Sequence, residues 1–299
     1  MGKGRRMNSK NIAKSLKAKL DDWCKNIDNE GIVKIIKENA IITGGALVSL
    51  LNGEKPNDYD VYFKDKESVL KIAKYYAEKW NKAHEDKNIV QITDKEGRVQ
   101  CFIQSAGAVM EDDEDGISDS SEPETEPFTE ETEEEQKQEI PKYRPRYFST
   151  NAISLSNDIQ IVIRFYGDVD RIHENYDFVH CTCSYDYKND KVNLPAKALE
   201  AIINKELIYC GSKYPLCSII RTRKFLNRGY TINAGQYLKM ALQLNELDLK
   251  DLNVFKDQLT GVDSAYFSQA IEMIAKKQKE DSNFKIDNTY LFEIINRIF

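Results

Sequence analysis

No run of apolar residues in this 299-residue sequence approaches the ~20 that a membrane-spanning helix needs. The opening MGKGRRMNSK leads into no apolar core of the kind a secretory signal carries. Both absences predict a cytoplasmic protein with no membrane partner. Histidine is scarce, with three copies, and the six cysteines (Cys24, Cys101, Cys181, Cys183, Cys210 and Cys217) lack paired CxxC spacing. A zinc site needs more ligands at regular spacing, so His84, His173 and His180 read as ordinary polar residues. The cysteines read as small buried hydrophobes of a reduced protein, with Cys181 and Cys183 on one face of an apparent strand.

Charge, by contrast, is abundant and unevenly spread. Residues 111–140 hold 15 Asp/Glu and one Lys, a local net of −14 against −6 for the whole chain, which leaves a surplus of eight positive charges elsewhere. A basic body suits a phosphate-rich partner. Residues 109–142 are acidic, contain Ser, Thr and Pro, and have almost no large apolar groups. They cannot bury enough surface to offset the entropy of ordering, which predicts a disordered loop inserted within the first domain. The alternative is an acidic decoy that visits a basic cleft.

The informative stretch is Ala40 to Phe63, AIITGGALVSLLNGEKPNDYDVYF. Ala40 to Thr43 is a short apolar run that stops at Gly44-Gly45, the pattern of a buried strand entering a tight turn. Ala46 to Asn52 carries Leu47, Leu50 and Leu51 at helical spacing, with Gly53 as C-cap and Pro56 beyond. A β-prone segment then opens with Asp58 and Asp60, which residues two apart on a strand would place on one face. Amides at the start of the helix favour an anion such as a triphosphate. Two carboxylates supply hard oxygen ligands for Mg²⁺, and two such ions clamp an in-line displacement at phosphorus.

Gly44-Gly45, a short leucine-bearing helix and Asp58-x-Asp60, in this order, resemble the signature of the DNA polymerase beta-like nucleotidyltransferase superfamily. The pattern is similar to that of the CCA-adding and poly(A) polymerase branch, although Val48 and Ser49 stand where that branch has Arg-Asp. It also resembles nucleotidyltransferase-like proteins of tailed bacteriophages. There, GG, NDxDxYF, an IQI strand, an FDF-like strand and an RxxK…RG helix follow one another. Here the matching residues are Gly44-Gly45, Asn57 to Phe63, Ile159 to Ile161, Tyr176-Asp177-Phe178, and Arg221 to Lys224 with Arg228-Gly229.

The resemblance implies an α+β architecture, a nucleotidyltransferase-fold mixed sheet with flanking helices followed by an all-helical domain. It implies Mg²⁺- or Mn²⁺-dependent transfer of a nucleoside monophosphate from an NTP, ATP among the candidates, to an acceptor hydroxyl, with pyrophosphate released. RNA or another phosphate-rich molecule would be the acceptor. Gly44, Gly45, Ser49, Arg221 and Lys224 would bind nucleotide, and Asp58, Asp60 and Asp177 would be the catalytic, metal-holding acids. Gln160 sits where some members carry a third acid, so the third carboxylate is either Asp177 or absent. A catalytically silent member that binds nucleotide, nucleic acid or a host protein is the other reading. Whether the three carboxylates converge decides between them.

The remaining pattern predicts helices over 9–27 (stripe Ile12, Leu16, Leu20, Trp23, Ile27), near 33–37, and after an Asp65 N-cap (Val69, Ile72, Ala73, Tyr76 and Trp80 inward). A hairpin is predicted around Lys95-Glu96-Gly97, and strands over 152–155, 159–165 and 176–184. The first domain is expected over 1–190 and the helical one over 191–299. In the latter, Pro215 starts a helix packed through Leu216, Ile219, Ile220 and Leu226, with Arg221, Lys224 and Arg228 on one face. Further helices are expected around 234–244, 249–259, 263–278 and 288–298.

Overall fold

Helix α1, Ser9–Lys25, begins where the Asn8 side chain accepts from the Asn11 N–H. Its stripe of Ile12, Leu16, Leu20 and Trp23 is fully buried. Helix α2, Glu30–Asn39, runs directly into strand β1, Ala40–Thr43, and α3, Gly45–Asn52, follows the glycine turn. Gly53 closes α3 in the left-handed region at φ 75°, as its place after the last leucine predicts. Strand β2, Tyr59–Phe63, leads to α4, Lys66–Ala83, capped by Asp65 accepting from the Ser68 N–H at 2.7 Å. Trp23 on α1 donates its indole N–H to the Tyr76 hydroxyl on α4 at 2.7 Å, within the core. The structure is a computed structural model that describes residues 8–84, 89–95, 98–104, 141–149, 151–259 and 293.

Strands β3, Ile89–Lys95, and β4, Arg98–Gln104, form the expected hairpin. Then come β5, Pro145–Phe148, β6, Ala152–Leu155, and β7, Ile159–Val162, which is shorter than the 159–165 run predicted. Short helix α5, Val169–His173, precedes β8, Ser184–Asp186, β9, Lys191–Asn193, and α6, Ala196–Asn204. Among the described residues, seven strands form one mixed sheet in the order β5-β6-β7-β2-β1-β8-β9. Only the β2–β7 pairing is parallel; the others are antiparallel.

Alternation along β1 and β2 divides the sheet between two faces. Ala40, Ile42, Val61 and Phe63 join the main core with the inward stripes of α1, α2 and α4. Ile41 and Tyr62 turn to the other face, where with Val162 and Ile172 they form a smaller cluster under α5. Two tyrosines fasten the α1 side. Tyr143 donates to Asp22 at 2.7 Å, and Tyr187 donates to Asp21.

The strand predicted over 176–184 is not one. Phe178 makes an isolated antiparallel bridge to Tyr209, Val179–Cys181 turns as a 3-10 helix, and only Ser184–Asp186 is a strand. Cys181, half-buried in the turn, and Cys183, buried after it, therefore do not share a strand face. The chain divides into two compact units at Cys210/Gly211, so α6 belongs with the sheet and not with the helices after it.

The second unit, described by itself, contains α7, Pro215–Leu226, α8, Ala234–Leu244, and α9, Leu252–Leu259. Gln258 ties it together: its side chain donates to the Lys213 carbonyl at 2.9 Å, and its carbonyl accepts from the Cys217 thiol at 2.7 Å. The buried face of α7 is Pro215, Cys217, Ser218 and Thr222, whereas Leu226 is exposed. The small polar residues fill that face at i, i+4 spacing, which an apolar count passes over. The acidic stretch, apart from residues 141 and 142, and the helices predicted at 263–278 and 288–298 lie outside the described residues.

Candidate functional site

The site builds on the end of β1. Gly44 has φ 89° and ψ −139°, a conformation that L side chains avoid, and it N-caps α3 without any side chain to occupy the helix amides. A Cβ built on Gly44 would come 3.3 Å from the Tyr176 hydroxyl and 3.8 Å from Asp60 Oδ2. Gly45 has an ordinary φ, and a Cβ there would meet nothing within 4 Å. Gly44 is thus glycine for the backbone's sake. Nothing inside the fold requires Gly45 to be one; its lack of a side chain keeps the approach to the uncapped amides open.

Asp60 lies in β2, half-exposed, with its carboxylate beside this turn. Asp58 stands one residue ahead of the strand and is exposed. Asp177 is buried beside the Phe178 bridge, where its carbonyl accepts from the Cys210 N–H at 3.0 Å. Among the described residues, no three or more His, Cys, Asp and Glu side chains are grouped to hold a metal ion, so Asp58, Asp60 and Asp177 do not come together as a three-carboxylate cluster. Gln160 on β7 is the residue in register with Asp60. The neighbouring-strand position beside Asp60 therefore carries an amide.

Ser49 is half-buried on α3, and its carbonyl accepts from the Glu54 N–H at 2.8 Å in the helix C-cap. Arg221, half-buried, and Lys224, exposed, sit on α7 in the second unit.

Residues that periodicity did not single out complete the turn. The Tyr176 hydroxyl donates to the Tyr62 hydroxyl at 3.2 Å. Burial first, then Tyr62, raise its pKa well above the ordinary range, so the phenol stays protonated. Thr43, the last residue of β1, donates to the Cys183 carbonyl at 2.8 Å. Its oxygen is left to accept from His173 Nε2–H, also at 2.8 Å. Burial lowers the His173 pKa, with Asp170 partly opposing, which keeps the ring neutral and its Nε2 tautomer engaged. The available signal was local: Tyr176 precedes Asp177, and a strand reading there turned the wrong one of the two toward the site.

These elements define an α/β unit with an open, uncapped helix start beside a strand carboxylate. The chain belongs to the Gabija anti-defense 2 family, whose model (Gad2, Gabija anti-defense 2 family protein) matches residues 14–205, a span that takes in the whole seven-stranded sheet. A relative from Bacillus phage SPbetaL7, "Gabija anti-defense 2", is 22% identical over 282 residues, covering 90% of this chain and 55% of its own length. The chain thus spans about half the length of the curated relative it matches.

Among solved structures, a Thermotoga maritima CCA-adding enzyme complexed with tRNA is similar over 76% of this chain and 45% of its own, at 10% identity and a TM-score of 0.39. A Bacillus stearothermophilus CCA-adding enzyme in complex with CTP is similar over 81% and 50%, at 12% identity and a TM-score of 0.34. At TM-scores this low the likenesses carry no argument for the site, which rests on the geometry above.

Proposed function

We propose that the chain transfers a nucleoside monophosphate from an NTP to an acceptor with release of pyrophosphate, and that this chemistry serves the anti-defense role its family's name assigns. The observation that carries the reading is the juxtaposition of Asp60 with Gly44 at the uncapped start of α3. The amides after Gly44 receive phosphate oxygens, and Gly45 leaves them room to approach. Asp58 and Asp60 would hold Mg²⁺ or Mn²⁺. The donor set fits, because such an ion takes few protein groups and fills its shell with phosphate oxygens and water. When bound, the cation supplies charge stabilisation for the displacement at phosphorus. The Tyr176 phenol and the Thr43–His173 pair hold the turn and the Asp60 carboxylate in place. Arg221 and Lys224 are proposed phosphate ligands on the strength of their charge. The acceptor oxygen attacks the α-phosphorus as the bond from that phosphorus to the β-phosphate oxygen breaks.

A second reading is binding of nucleotide, nucleic acid or a protein partner without transfer. The failure of Asp177 to join Asp58 and Asp60 favours it. Purified protein incubated with each α-labelled NTP, Mg²⁺ and host RNA or lysate separates the two. Label on an acceptor supports transfer, and tight NTP binding without label supports binding alone.

A further inference from the structure

Resting on the transfer reading, we propose that the acceptor nucleophile is a phosphate monoester, and that Gln160 is the residue that selects it. Strand register sets out the neighbourhood. Asp60 pairs with Gln160 of β7, which in turn pairs with Ser154 of β6. On the other side Ile42 pairs with Val61, which puts Thr43 level with Asp60, and Thr43 pairs with Ser184. One row across the site face therefore reads Ser154, Gln160, Asp60, Thr43, Ser184.

The two ends of this row differ. Thr43 and Ser184 are buried, and Thr43 is engaged by Cys183 and His173. Ser154 and Gln160 are half-exposed, and neither side chain forms a hydrogen bond with another described residue. The open side of Asp60 is the side toward β7 and β6, and it is lined by neutral polar groups.

An attacking hydroxyl must surrender its proton, so it needs a base within hydrogen-bond reach. The carboxamide of Gln160 cannot take that proton, and the Ser154 hydroxyl cannot either. The Tyr176 phenol is protonated, and the accessible nitrogen of His173 toward the turn is spent as a donor to Thr43. A phosphate monoester needs no base, because its second pKa of about 6 leaves it ionised at neutral pH. The Gln160 amide offers N–H donors to its oxygens, where a carboxylate would repel them. In the step, a phosphate oxygen bonds to the α-phosphorus, the α–β bridging bond breaks, and pyrophosphate departs with that electron pair. The product is a phosphoanhydride, and no proton is transferred.

The test supplies each α-labelled NTP and Mg²⁺ to the full-length protein with three acceptors. They are a 5′-phosphorylated oligoribonucleotide with a blocked 3′ end, the same sequence with 5′- and 3′-hydroxyls, and ribose 5-phosphate. The expected label lies on phosphate-bearing acceptors, about tenfold or more above the hydroxyl oligonucleotide, and resists phosphatase; the two phosphate arms tell a nucleic-acid end from a small molecule. Gln160→Glu should lower kcat/KM for the phosphate acceptor by about tenfold while calorimetric NTP affinity holds. Equal or greater labelling of the hydroxyl oligonucleotide, or a Glu variant as active as the parent, overturns this proposal and leaves the transfer reading standing. NTP binding that is absent, or indifferent to Asp60→Asn, overturns both.

Discussion

The Asp60 carboxylate stands so close to Gly44 that a single added methyl group there would come 3.8 Å from its Oδ2. This one relationship ties the metal-type acid to the phosphate-type turn, and the two glycines test it in opposite ways. Gly45→Ala adds a methyl into open space on a helix, so the fold should be as stable or gain up to about 1 kcal/mol. NTP affinity should nevertheless fall by about tenfold, near 1.4 kcal/mol. Gly44→Ala should instead lose stability, on the order of 1–3 kcal/mol, because its φ of 89° strains any other residue. Thermal unfolding with calorimetric titration of NTP reads both variants. Unchanged affinity in Gly45→Ala would show that the turn is only structural.

Much of this region was legible in the sequence because its signals are local. An apolar run stopped by Gly44-Gly45, leucines at helical spacing and Gly53 each act within a few residues, and β1, α3 and the Gly53 cap form where they predict. Asp65 as the cap of α4 was legible for the same reason. The segment after Tyr176 was not. Its β-prone residues are held by Phe178 bridging to Tyr209, a distant partner that periodicity does not contain. That error carried Asp177 into the site and left Tyr176 out. The unit boundary failed likewise, since the period of α6 announces a helix but not that Ala198 and Ile202 pack into the core of the sheet.

His173 gives the site a pH dependence. Burial lowers its pKa below the ordinary 6.5, so the folded protein binds fewer protons than the unfolded chain between that value and the lowered one. Stability should therefore rise with pH through this window and be lost as pH falls below about 6.5. His173→Gln should flatten that slope. Unfolding midpoints of both proteins at pH 7.5 and 5.5 check this, and equal slopes would remove the titration from His173.

Tyr176→Phe removes the hydroxyl that bonds Tyr62 and lies against Gly44. The expected loss is about 1 kcal/mol of stability, the net worth of one hydrogen bond. NTP affinity should drop with it if the phenol holds the turn. A stable variant with parental affinity would make the Tyr176 contact incidental.

Arg221 and Lys224 are tested together on α7. Replacing both with Ala should weaken NTP binding by roughly 1–3 kcal/mol, the scale of charge-assisted hydrogen bonds, with far-UV circular dichroism unchanged. Parental affinity in the folded double variant would return this helix face to solvent.

The central claim is that Asp60, with Asp58, serves chemistry at the glycine turn, and label transfer from an α-labelled NTP measures it directly. Asp60→Asn keeps the shape of the side chain and removes its charge. In the presence of Mg²⁺, transfer should fall about a hundredfold or more, near 3 kcal/mol of barrier, while the unfolding midpoint without metal holds or rises slightly. An Asp60→Asn protein that unfolds at markedly lower temperature yet transfers label at the parental rate would contradict the account.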